Sequence, residues 1–313
     1  MSIKSTREAF IKALIELAER DKRYVFVSSD SVAAARAKPF QELYPDRVFD
    51  VGIAEQDAVA FAAGLAATGL IPYIVTYAGF LTMRACEQMR TFVAYPKLKV
   101  RFGGINGGVF GGEREGVTHQ FFEDLGITRA IPGITVLTPG DANQVYHSVL
   151  ESSDFEGPVY IRLASGREHE VYEEATPCIP GKLNVLKDYG RDVVVFSSGY
   201  ILNRAIEAVE QLRHQGVNAV LADVTSLKPL DVQGIVLLLK ECGCAITVED
   251  HNIIGGLGSA ITETACDFCP VPVRRIGLQD KYPRSGHPEP LLDYCGIGVN
   301  DIVAAAKDAI KAK

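Results

Sequence analysis

Two stretches of this 313-residue chain place chemically capable side chains at points where a fold could use them. In DVGIAEQDAVAFAAGLAATG, residues 50–69, a strand-like segment runs into Gly52 and an apolar helical run follows. Glu55 sits at that junction among Ile, Ala, Val and Phe. A carboxylate is costly to bury without a partner, so its presence there needs a reason. Residues 103–116, GGINGGVFGGEREG, follow the strand-like KLKVRF. Glycines after a strand let backbone approach a ligand closely. No Lys-Ser or Lys-Thr completes a phosphate loop, and the glycines run into EREGVTHQ without opening a dinucleotide-binding helix. The segment therefore reads as an active-site loop of another kind. A second glycine-rich stretch, IIGGLGSAITE at 253–263, follows ITVEDHN and opens a helix, which tight strand-to-helix packing explains. The cysteines offer a further possibility. Cys242 and Cys244 form a C-x-C, and Cys266 and Cys269 a C-x-x-C, together enough thiolates for a zinc site. Their places beside strands and at a helix end favour packing as small hydrophobes.

The elements that must position these residues alternate. YVFVSS, RVFDVG, PYIVTYA, KVRFGGI, ITVLTP and PVYIRLA read as strands, with amphipathic or Ala-rich helices between them. Near-continuous apolar strands suit a parallel sheet covered on both faces. Residues 168–191 are charged and weakly periodic, and read as a linker. Alternation restarts with DVVVFSS, NAVLADVTS, CAITVE and VPVRRIG, separated by helices at about 200–215, 231–241 and 258–267, and ends in a helix from about Asn300. The expected class is α/β, with two doubly wound domains at 1–178 and 186–313.

Composition narrows the function. Apolar residues make up 47% and charged residues 23%, enough for a sizeable core and too ordered a mixture for a disordered chain. A net charge of −7 with acids and bases interspersed argues against a nucleic-acid partner. No apolar run is long enough for a membrane span, and the amphipathic N-terminal segment lacks a signal-peptide core, so a cytoplasmic protein is expected.

Taken together, seven motifs resemble the transketolase family of thiamine diphosphate enzymes. They are GIAEQ (52–56), YAGF (77–80), GGEREGVTHQ (111–120), YIRLASGR (160–167), TSLKPLD (225–231), EDHNIIGGLGSA (249–260) and RIGLQDKYPRSGHPEPLLDYCGI (275–297). Their order is the family's order. The resemblance implies a pyrimidine-binding thiamine diphosphate fold followed by a smaller transketolase C-terminal α/β domain. It also implies that Glu55, in the GI-x-E motif with Ile53, hydrogen-bonds the cofactor's aminopyrimidine and promotes the tautomer that takes the thiazolium proton. That role needs a carboxyl able to hold or share a proton, which burial favours and a helix N-terminus opposes, burial being the larger effect. Tyr77 and Phe80 match the aromatic pair at the pyrimidine ring, where offset stacking is favourable. His119 matches the histidine facing the sugar, suited to proton handling and hydroxyl recognition.

Departures from the family pattern are as informative. The GDG motif that grips Mg²⁺ and the diphosphate does not occur; the nearest string is PGDA at 139–142. The resemblance then implies half of a split enzyme, with metal and diphosphate held by an N-terminal partner subunit in an α2β2 heterotetramer. In the substrate loop Glu115 replaces the family's Asp, Asn106 stands near its phosphate-gripping His, and Ala34 near a phosphate-binding Ser. Arg167 matches the family's phosphate-binding arginine, and an Arg fork suits an oxyanion. The expected function is transfer of a two-carbon ketol unit from an anionic ketose to an aldose. The alternatives are the beta subunit of a 2-oxo-acid dehydrogenase, with which the THQ loop and the C-terminal motif disagree, and a non-catalytic assembly subunit of the same fold.

Overall fold

The structure is a computed structural model that describes residues 5–111, 115–166, 168–173 and 176–313. Five long-range strand pairings build a first sheet from β1 (Tyr24–Ser28), β2 (Val48–Asp50), β3 (Ile71–Tyr77), β4 (Arg101–Ile105), β5 (Thr135–Leu137) and β6 (Val159–Arg162), all parallel. A second sheet contains β7 (Asn184–Asp188), β8 (Val193–Ser197) and β9 (Ala219–Asp223). The next strand, β10 (Ser226–Lys228), returns to the first sheet, antiparallel to β5. The second sheet is completed by β11 (Ala245–Asn252) and β12 (Val273–Leu278). The orders are β10-β5-β6-β4-β3-β1-β2 and β12-β11-β8-β9-β7.

Side-chain alternation along the strands feeds two layers. On β1, Phe26 packs with the helix Thr6–Arg20, while its neighbour Val27 packs with the helix Glu55–Ala67 on the other face. Both layers are apolar, so these strands lack polar residues at alternate positions.

Two strands depart from the sequence reading. The segment read as linker, 168–191, contains β7, an edge strand antiparallel to β9. Its sequence NVLKD is only partly buried, and an edge strand needs no continuous apolar run, so its pattern is weak. NAVLADVTS, read as one strand, ends β9 at Asp223, and the chain then crosses to β10 in the other sheet. There Lys228 Nζ donates to the carbonyls of Arg129 (2.8 Å) and Ile131 (2.6 Å), at the end of the helix Asp124–Ala130. A cation meets the negative end of that helix.

A buried ionic cluster joins the two sheets. Arg162, at the end of β6, grips both oxygens of Asp124 (Nε and Nη2, each 3.0 Å) and Asp250 Oδ1 on β11 (2.6 Å). The hydroxyl of Tyr160 donates to Asp124 at 2.6 Å, and that of Tyr200 donates to Asp250. Every charge in the cluster thus has a partner, which is the condition for burying it.

Candidate active site

The carboxyl ends of β2, β3 and β4 open on one edge of the first sheet, the usual ligand edge of parallel α/β sheets. Beyond β2, Asp50 Oδ1 accepts from the backbone N–H of Asp30 (3.0 Å) and of Gly52 (2.9 Å), which fixes the turn. Gly52 takes φ +74°, a conformation side chains rarely adopt. Next to it, Ile53 is 77% exposed at the mouth of the site. Glu55 then begins the helix Glu55–Ala67, held down by Ala58, Val59 and Ala62, and its own side chain is 2% exposed.

The carboxylate is not surrounded by apolar walls alone. Arg84 Nη1 donates to Glu55 Oε2 at 2.6 Å, and the Arg84 side chain remains 47% exposed. Arg84 ends a π-helical turn, Phe80–Arg84, that lies just beyond β3. Such turns displace side chains from ordinary helical spacing, and no residue pattern in FLTMR marks this one.

An aromatic cluster stands beside the pair. Phe80 meets Tyr77, His119 and Phe121 edge-to-face, with ring centroids 5.5, 5.6 and 5.3 Å apart. Tyr77 and His119 are also edge-to-face at 5.1 Å. The strand end of β3 thus brings Tyr77 and Phe80 together with His119, which closes the short 3-10 turn Gly116–His119 of the glycine-rich loop. His119 Nδ1 lies 3.1 Å from Thr118 Oγ1.

On the same loop lies a cavity of about 450 Å³, lined by Arg7, Asn106, Glu115, His169, His287 and Glu289 among others. Arg7 is the residue that the sequence reading missed. Its Nε donates to the Ala164 carbonyl (3.2 Å), Nη1 to the Ala34 carbonyl (3.0 Å) and Nη2 to Asn106 Oδ1 (2.5 Å). A positive side chain in the first turn of a helix runs against the helix dipole, and that was its one signal. Asn106, with φ +59°, is buried and engaged by Arg7, while Glu115 is exposed on the loop. Arg167 lies outside the described residues.

The remaining motifs have other uses. Cys242 and Cys244 are buried, Cys266 is exposed, and all seven cysteines are free thiols. Among the described residues no group of three or more His, Cys, Asp or Glu is placed to hold a metal ion. The glycine-rich stretch after β11 closes on Glu249, whose oxygens accept from the N–H groups of Leu257 (2.7 Å) and Gly258 (2.8 Å). A Cβ on Gly256 would stand 2.0 Å from Glu249 Oε2, so the close approach requires glycine. His251 is buried beside it, accepting from Gly126 N–H at Nε2 (3.2 Å) and facing the Asn252 carbonyl with Nδ1 (2.6 Å). Those partners suit a neutral ring with its proton on Nδ1.

Residues 3–167 match the family model for the transketolase pyrimidine binding domain, and residues 181–302 that for the transketolase C-terminal domain. The chain belongs to the transketolase family. This transketolase chain is 35% identical over 307 residues to the 6-deoxy-6-sulfo-D-fructose transketolase subunit SqwH of Clostridium sp. (strain MSTE9), covering 98% of this chain and 95% of that protein. It is 35% identical to an apulose-4-phosphate transketolase subunit of Phocaeicola vulgatus, covering 97% of each. A solved structure described as a split gene transketolase, inactive beta4 tetramer, superposes with a TM-score of 0.90 at 36% identity and covers 100% of both chains. The fold and function expected from the motifs therefore stand: an α/β transketolase subunit of the enzymes that transfer two-carbon ketol units. The family implies thiamine diphosphate as cofactor. No helix among the described residues is long and apolar enough to cross a membrane.

Proposed function

We propose that this chain supplies the pyrimidine half of a split transketolase active site and acts on an anionic ketose, in concert with a separate diphosphate-binding subunit. The observation that carries the reading is a 2% exposed carboxylate, Glu55, beside the half-buried rings of Phe80 and Tyr77 on the ligand edge of a parallel sheet. A buried acid next to an aromatic face and the exposed apolar Ile53 fits a flat, nitrogen-bearing ring. In this reading Glu55 exchanges a proton with a ring nitrogen, Phe80 and Tyr77 flank the ring, and Ile53 covers its edge. Thiamine diphosphate, when bound, supplies a nucleophilic carbon able to carry the two-carbon fragment between donor and acceptor.

The substrate is handled by neighbouring groups. Thr118 occupies Nδ1 of His119, leaving Nε2 as the nitrogen for a sugar hydroxyl. Glu115 and Asn106 lie on the same loop region and are assigned to the substrate. Arg7 and Arg167 are assigned to its anionic end. Arg7 is favoured by its place in the cavity wall, and a sulfosugar and a sugar phosphate in the names of two relatives are both anionic. Residues 1–178 carry the cofactor side of this site, and residues 186–313 add His287 and Glu289 to the cavity wall and brace the site through the Arg162 cluster.

Magnesium and the diphosphate are assigned to the partner subunit, in an α2β2 assembly. Support comes from relatives of similar length named as transketolase subunits and from a solved relative described as an inactive tetramer of beta chains. Seven unpaired cysteines suit a reducing compartment, and the cytoplasm is proposed on that ground. The test is reconstitution. The chain alone should turn over no ketose, and addition of the diphosphate-binding subunit, thiamine diphosphate and Mg²⁺ should produce ketol transfer. Full activity from the chain alone overturns the split-site reading.

A further inference from the structure

Glu55 and Phe80 offer a ring two kinds of contact, a hydrogen bond at its edge and an aromatic surface at its face. Both are already in use. The guanidinium of Arg84 lies with Cζ 4.3 Å from the centroid of Phe80, within stacking range, and its Nη1 donates to Glu55 Oε2 at 2.6 Å. A guanidinium is flat, carries N–H donors on its edge and stacks on aromatic faces, properties it shares with an aminopyrimidine. Tyr77, His119 and Phe121 already crowd the same ring. Two flat groups cannot occupy one face of Phe80 together.

We propose that Arg84 is a built-in competitor for the aminopyrimidine: its guanidinium fills the ring's place on Phe80 and Glu55 and must leave when the cofactor binds. The proposal rests on the thiamine diphosphate reading of this site. Three features of Arg84 suit a displaceable group. Its side chain is 47% exposed, so water can receive the cation when it swings out. Among the described residues Glu55 is the only ion-pair or hydrogen-bond partner of its side chain, so no other such bond opposes the movement. Its backbone stays fixed, because Gln56 Nε2 donates to the Arg84 carbonyl at 3.1 Å, and only the side chain has to move. The competitor has a use in the cofactor-free chain, where a buried carboxylate without a partner would be destabilising.

Two measurements test this. In the free chain, urea unfolding of Arg84→Met, Glu55→Gln and the double variant should be non-additive, with Arg84→Met lowering the midpoint less when residue 55 is Gln. Additive shifts would show that the pair is not formed and would overturn the proposal. In the complex reconstituted with the diphosphate-binding subunit and Mg²⁺, calorimetric titration with thiamine diphosphate should give about tenfold tighter binding for Arg84→Met, since one charged competitor has been removed. Arg84→Gln, which can still reach Glu55 with an uncharged amide, should fall between the two. Unchanged or weaker binding by Arg84→Met overturns the competitor role, weaker binding assigning Arg84 a direct contact with the cofactor. A wild-type complex that binds no thiamine diphosphate overturns the cofactor reading itself and this proposal with it.

Discussion

Among the described residues two buried glutamates stand at helix N-termini, one beside each sheet, and they are 2% and 1% exposed. Glu249 ends up on β11 with its oxygens fixed by the N–H groups of Leu257 and Gly258, under glycines that leave no room for a side chain. Glu55 is held by one half-exposed arginine next to an open aromatic cluster. Burial is the same in both. What differs is the partner: backbone donors cannot leave, whereas a long, solvated side chain can. A carboxylate closed off by its own backbone braces the fold, and a carboxylate held by a movable cation remains available to a ligand.

The sharpest way to break this comparison is to remove each acid. Glu55→Gln keeps size and burial but cannot exchange a proton, so turnover of the reconstituted enzyme should fall roughly 10² to 10⁴-fold. Hydrogen–deuterium exchange at the cofactor's reactive carbon reads the affected step directly. Glu249→Gln should leave turnover of the assembled enzyme within a few-fold of wild type. Equal losses from both variants would erase the distinction.

Stability should show the reverse order. Glu249→Ala leaves two N–H groups at the start of the helix Leu257–Phe268 without their acceptor, which costs roughly 2 to 3 kcal/mol in urea unfolding followed by circular dichroism. Acidity sharpens the point. Burial pushes the Glu249 carboxyl up to about 7, with the two N–H donors pulling the other way. Its value in the folded chain exceeds the ordinary 4.5, so its contribution is complete below pH 4.5 and is lost as pH rises through 7. The total is on the order of 3 kcal/mol. His251, brought down to about 4 by burial, has the opposite sign and loses stability as pH falls from 6.5 toward 4. Glu249→Gln should therefore flatten the decline in urea midpoint between pH 5 and 8, and an unchanged slope would place the titration elsewhere.

The glycines give the smallest effects. Gly256→Ala places a Cβ 2.0 Å from Glu249 Oε2 and 2.6 Å from His251 Nδ1, and the forced shift should cost about 2 kcal/mol. Gly52→Ala meets no atom within 4 Å, so only its φ of +74° is penalised, about 1 kcal/mol. Thermal unfolding of the two variants, compared side by side, separates close packing from backbone strain.

The sequence is legible wherever one local property decides the outcome. The six parallel strands of the first sheet can be read because each is a short apolar run between turn residues. β7 and β10 cannot, because NVLKD and SLK are mostly polar and leave no apolar run. The motif YIRLASGR draws attention to Arg167, yet its other arginine, Arg162, joins the two sheets, since its partners Asp124 and Asp250 lie 38 and 88 residues away. The same reason hides Arg7, whose partners Asn106 and Ala164 come from other strand ends.

By itself, the sequence determined the α/β class, the strand-to-helix junction that presents Glu55, and the motifs that mark a transketolase. These follow from periodicity, turn chemistry and residue order, which are properties of neighbouring residues. Only the tertiary structure decided which cation meets which acid. Arg84 reaches Glu55 because a π-helical turn after β3 faces the helix that follows β2, and the distance between a guanidinium and a carboxylate across two strand ends is set by packing, not by spacing along the chain.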